Sequence, residues 1–136
     1  MDIKLENLNF YLYKKLDGLI HNNIFKNKKI ILFGLNSTSY CTKNYLESKG
    51  LLITAYIDND SKKRDDLNQM KKTLLRNHLN NSDFEIIKSK IIEAYAPEEL
   101  LLYLRDDVVI LIGSKYYSDM CAQLSELGFF ENKQVY

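Results

Sequence analysis

A chain of 136 residues suits one domain of ordinary size. With 46% hydrophobic and 27% charged residues, its composition is that of a globular protein and excludes wholesale disorder and collagen-like repeats. Nineteen Lys and Arg against eighteen Asp and Glu leave a formal charge of +1, too balanced to favour nucleic acid or an anionic membrane as a partner.

The amino terminus interleaves charges with apolar residues from Asp2 onward, without the basic start and unbroken apolar run of a secretory signal, so a cytoplasmic protein is expected. Its longest plainly apolar run, Val108 to Ile112, falls far short of the ~20 residues that span a bilayer. Cys41 and Cys121 belong to no CxxC or Cys/His cluster, so no metal is expected and the thiols read as free and reduced.

Leu5, Leu8, Leu12, Leu16, Leu19 and Ile20 recur at helical spacing and predict an amphipathic amino-terminal helix, with residues 1–27 as helix and linker. Ile30 to Phe33 is too apolar for a half-exposed strand and predicts a parallel strand covered on both faces, ended by Gly34. A helix from about Ser37 to Lys49 follows, with Gly50 at the position of a left-handed cap. Leu51 to Ile57 predicts the second strand, closed by the turn-forming Asp58-Asn59-Asp60. Residues 61–90 predict a helical insertion, one long helix through Leu67, Met70, Leu74, Leu75 and Leu79, then a short element at Phe84, Ile86 and Ile87. Ile91 to Tyr95 reads as a brief third strand, and Pro97 with Glu98 and Glu99 signals a helix running to about Leu104. Val108 to Ile112 is the second fully buried strand, ended by Gly113, and residues 134–136 supply at most a short fifth strand.

Ile31 to Gly50 and Val109 to Gly128 share one order: apolar strand, glycine, hydroxyl-rich turn, helix bearing a Cys, glycine. Such duplication is how doubly wound α/β sheets are built, and right-handed crossovers make 3-2-1-4-5 the economical strand order, with helices on both faces. The strands ending at Gly34 and Gly113 then become neighbours where the winding reverses, which is where ligands of such sheets bind. The crevice is expected between Gly34, Leu35, Asn36, Ser37, Thr38 and Ser39 on one side and Gly113, Ser114, Lys115, Tyr116 and Tyr117 on the other, and backbone amides at the helix start suit a phosphate.

Each feature has a plainer reading too. A tight strand-to-helix turn needs Gly34 and Gly113 whatever the function. Ser37 and Thr38 suit either a phosphate oxygen or a helix cap, and capping is the commoner role. Tyr116 and Tyr117 suit a stacked base or a packed lid, and Lys115 suits a solvated surface. Tyr45 and Lys49 have the YxxxK spacing of an acid/base pair, but at the far end of the first crossover helix, remote from the crevice. His21 and His78 stand apart from any nucleophile, so no catalytic triad can be assembled. The Lys62-Lys63-Arg64 run alternates with acids and reads as a solvated helix face.

The phrases KKIILFGLNSTSY, AYIDND, YAPEELL and DDVVILIGSKYYSDMCAQLSELGF resemble the Rossmann-like nucleotide-binding domain at the front of polysaccharide-biosynthesis nucleoside-diphosphate-sugar epimerases and dehydratases. The resemblance covers most of residues 28–136 and fits residues 61–90 poorly. It implies a site at Gly34, Asn36 and Ser39, the positions of that family's GxGxxG. It also implies that Asp58 and neighbouring Asn59 face the ribose hydroxyls, which favours NAD over NADP. The expected function is a small module binding NAD or a sugar nucleotide. The alternatives are a partial oxidoreductase or epimerase completed by a partner enzyme, and a scaffold that has lost its ligand and associates, as a homodimer for instance, through the first helix or the 61–90 helices. Epimerase chemistry needs residues beyond the cofactor domain, which leans against an enzyme acting alone.

Overall fold

The computed structural model describes residues 2–78, 83–84 and 91–136, with side chains from Phe10 onward. Helix α1 (Asp2–His21) leads into β1 (Lys29–Phe33), α2 (Ser37–Ser48), β2 (Ile53–Ile57) and α3 (Ser61–Asn77). Then follow β3 (Ala94–Tyr95), two 3-10 segments (Pro97–Leu102 and Arg105–Asp107), β4 (Val108–Ile112) and α4 (Tyr117–Glu126). All pairings are parallel, and the strand order is β3-β2-β1-β4. Among the described residues no helix is long and apolar enough to cross a membrane.

The two central strands carry apolar side chains to both sheet faces. Ile30 and Leu32 join Val109 and Leu111 in one buried cluster, while Ile31 and Phe33 join Val108, Ile110 and Ile112 in the other. Period-two alternation sends neighbouring side chains to opposite faces, so a strand covered on both sides must be apolar throughout. Each such side chain contributes roughly 1.5–3 kcal/mol on full burial. In β2 the parity changes: Ile30 pairs with Ile53 and Ile31 with Ala55, a register slip that puts Ile53 and Tyr56 in the first cluster and Ala55 and Ile57 in the second.

Leu16 of α1, Leu46 of α2 and Leu67 of α3 pack into the first cluster, and Leu100 and Leu124 into the second. Helical elements therefore lie on both faces, and Cys41 and Cys121 stand on α2 and α4, on opposite sides of the sheet. Helix α3 buries no residue fully. Its Asn68 instead donates to the Ala94 carbonyl and accepts from the Ala94 N–H, both at 2.9 Å. That pairs backbone groups which edge strand β3 would otherwise expose.

Three expectations need correction. The third strand is two residues long, and Ile86, Ile87 and Leu79 lie outside the described residues. The segment after Pro97 is a 3-10 helix rather than an α-helix: Pro97 and Leu100 are buried and Tyr103 is partly so, a period of three, whereas Leu101, Leu102 and Leu104 are exposed. Among the described residues the sheet has four strands, not five. The Ile110 N–H donates to the Gln134 carbonyl and the Ile112 N–H to that of Tyr136, but Val135 forms only an isolated bridge to Ile110 because the tail also folds back on Glu131.

Candidate functional site

The ladder between β1 and β4 runs to their carboxyl ends, where Phe33 pairs with Ile112 and the Gly113 N–H donates to the Phe33 carbonyl. The two glycine turns are therefore neighbours, and a cleft of about 470 Å³ opens over them. Gly34, Asn36, Ser37, Thr38, Asp58, Gly113, Ser114 and Tyr116 line it, together with Lys63, Lys115 and Met120. A volume of this order is within the range of small-molecule sites.

Gly34 takes φ +113°, a conformation that side-chain-bearing residues rarely adopt, and its N–H donates to the Ile57 carbonyl at 2.8 Å. Asn36 then caps α2. Its side-chain carbonyl accepts the Ser39 N–H at 3.0 Å, and its amide donates across the cleft floor to the Gly113 carbonyl at 2.5 Å. The capping expected of Ser37 or Thr38 thus belongs to Asn36, and those two occupy the first turn, where backbone N–H groups have no partner within the helix.

Asp58 ends β2 and braces the floor. One carboxylate oxygen accepts the Leu35 N–H and the other the Asp60 N–H, both at 2.7 Å, the second closing an Asx turn. A carboxylate offers about four lone-pair sites, so acceptor capacity remains toward the cleft. On the other wall, the Ser114 hydroxyl accepts the Tyr116 N–H at 3.0 Å and shapes the turn into α4.

Two expected site residues lie elsewhere. Ser39 is buried beneath the turn, 1% exposed, because the third residue of α2 faces back onto the neighbouring strand. A Cβ on Gly113 would stand 2.8 Å from its Oγ, so this pair sets how closely α2 approaches β4. The Asn59 side chain turns to α4 and exchanges two hydrogen bonds with Gln123, at 2.9 and 2.8 Å.

Lys115 stands in the cleft wall, as expected, and Lys63, read as part of a solvated helix face, lines the cleft too; both are exposed. Lys63 falls in the first turn of α3, capped by Asp60, and Lys115 follows Ser114, its ammonium 5.2 Å from the centre of the Tyr116 ring. Among the described residues neither forms an ion pair. The cleft thus combines two ammonium groups, hydroxyls and a helix start, an arrangement that attracts anions. Among the described residues no group of His, Cys, Asp and Glu is arranged to hold a metal.

Two reactive side chains outside the cleft lining, Cys121 and Tyr45, are held in their protonated forms. Cys121 donates to the Glu131 carboxylate at 3.3 Å, and burial pushes its thiol pKa up, which keeps it protonated. Tyr45 donates to Asp17 at 2.5 Å and stacks on Tyr13 at 4.3 Å. That hydrogen bond raises its phenol pKa, the opposite of what an acid/base tyrosine beside Lys49 requires.

Comparison with protein-family models, with characterised proteins and with solved structures finds no match to this chain.

Proposed function

We propose that this chain is a nucleotide-binding module on a Rossmann-like doubly wound sheet, which holds its ligand by the phosphates and presents or senses it without catalysing a reaction. The observation that carries this reading is the meeting of the β1 and β4 turns in one cleft that also contains Asp58 and two lysines that form no ion pair among the described residues. Open parallel sheets bind ligands at the carboxyl ends of neighbouring strands where the winding reverses. NAD and sugar nucleotides are the first ligands to test, since the family resemblance implies them and Asp58 stands at the end of β2.

Thermal unfolding of the whole chain with millimolar NAD, NADP, nucleoside diphosphates, UDP-sugars and coenzyme A tests the reading. A ligand at about 100 times its Kd adds about 2.7 kcal/mol of stability, so at least one nucleotide should raise the midpoint clearly. An unchanged midpoint across the panel rejects the reading.

A further inference from the structure

Resting on the nucleotide reading, we propose that the cleft selects nucleotides whose phosphate chain ends inside it, with a free terminal phosphate, over ligands whose diphosphate is esterified at both ends. Asn36 sets this preference. Its side chain bridges the two turns, held at 3.0 Å by the Ser39 N–H and at 2.5 Å by the Gly113 carbonyl. Its Nδ2 lies 2.7 Å from where a Cβ on Gly34 would stand. The amide therefore covers the strip between Gly34 and Gly113. A diphosphate linking a nucleoside on the Asp58 side to a second group on the Ser114 side has to cross that strip at close range to bare backbone. A phosphate chain that stops short of it does not.

Charge favours the same class. A phosphate monoester carries about −1.5 to −2 near neutral pH, more than either phosphate of a doubly esterified diphosphate. Lys63 and Lys115 line the cleft, and among the described residues neither has a carboxylate within ion-pair distance. Asp58, whose oxygens each accept one backbone N–H and keep further acceptor capacity, would meet the nucleoside ribose in both classes and so does not discriminate between them.

Titration calorimetry on the whole chain with matched pairs, ADP against ADP-ribose and NAD, and UDP against UDP-glucose, tests the inference. In at least one pair the free diphosphate should bind about tenfold tighter than its esterified partner. Asn36→Gly should bring the two within about threefold, and Asn36→Ser, which keeps a capping side chain but cannot span to Gly113, should narrow the gap in the same direction. Circular dichroism verifies that both variants fold, and either one suffices. Esterified ligands binding the wild type as tightly as free diphosphates overturn the inference and leave the nucleotide reading standing. A preference that persists in both variants overturns the role of Asn36. No binding of any of the five overturns the inference together with the reading.

Discussion

Truncating Leu16 to alanine is expected to destabilise the protein by about 2–5 kcal/mol, a large share of the 5–15 kcal/mol that holds a typical domain folded. Leu16 sits on α1 and is 1% exposed, in one cluster with Ile30, Leu32 and Leu111 of the two central strands. Leu12, Leu19 and Ile20 pack around it, and the Tyr13–Tyr45 stack and the Tyr45–Asp17 hydrogen bond tie α1 to α2. Removing three carbons there leaves a cavity that neighbouring rigid strands cannot fill. Urea unfolding of wild type and Leu16→Ala measures the loss. Equal midpoints would mean that α1 is an appendage and that the sheet does not depend on it.

The second large effect is expected at Gly113. Its φ lies outside the left-handed region, so the backbone tolerates alanine, and the smaller entropy of the unfolded chain would by itself add about 0.4–1 kcal/mol of stability. Packing opposes this more strongly. The added Cβ would stand 2.8 Å from Ser39 Oγ, 3.3 Å from the Ser39 nitrogen and 3.3 Å from Thr38 Cγ2. Two of those atoms could shift by side-chain rotation, but the third belongs to the helix backbone. Overpacking of this kind costs about 1–3 kcal/mol, so the net effect is a loss, and α2 must move off β4. Nucleotide affinity should fall with it, because Asn36 and the first turn of α2 form the cleft floor. The double variant Gly113→Ala with Ser39→Ala should recover part of the loss. The Ser39 hydroxyl is buried and has no hydrogen-bond partner among the described residues, so its removal is inexpensive by itself and opens the tightest contact. A double-mutant cycle in urea reads the coupling. Gly113→Ala as stable as wild type would refute the packing described here.

The parts of the fold that could be read from the sequence are those governed by local chemistry. Ile30 to Phe33 and Val108 to Ile112 are apolar at every position and stop at a glycine, a combination that fits a strand buried on both faces. Once they are adjacent and parallel, the cleft follows from topology alone. Pro97 with two acids behind it starts an α-helix and a 3-10 helix equally well, and only the three-residue spacing of Pro97, Leu100 and Tyr103 signals the second. The tail at residues 134–136 is too short for its pattern to separate a strand from a bridge.

Within the site, the turns and Asp58 were legible because glycine and Asp-Asn-Asp, closing apolar runs, mark where strands end. The orientation of single side chains was not. Ser37, Thr38 and Ser39 look alike in sequence, yet the first two reach the cleft and the third faces β4, a difference of helical phase fixed only when Asn36 is known to be the cap. Asn is among the best capping residues and Asn36 precedes three hydroxyl residues, so that signal was present. Lys63 was hidden by its neighbours: Lys62 pairs with Asp66 on the exposed side of α3, and Arg64 reaches the Asp58 carbonyl at 2.7 Å. A run of three cations thus divides its work among solvent, cleft and turn.

Amide chemical-shift mapping of the isotopically labelled chain during titration with ADP and UDP tests the central claim most directly. A phosphate held over the β1 and β4 turns should move the N–H resonances of Gly34, Ser37, Thr38, Gly113 and Ser114 together, saturably and first. Saturable shifts confined to other surfaces, such as the exposed leucines at Leu101, Leu102 and Leu104, or no shifts at millimolar ligand, would contradict it.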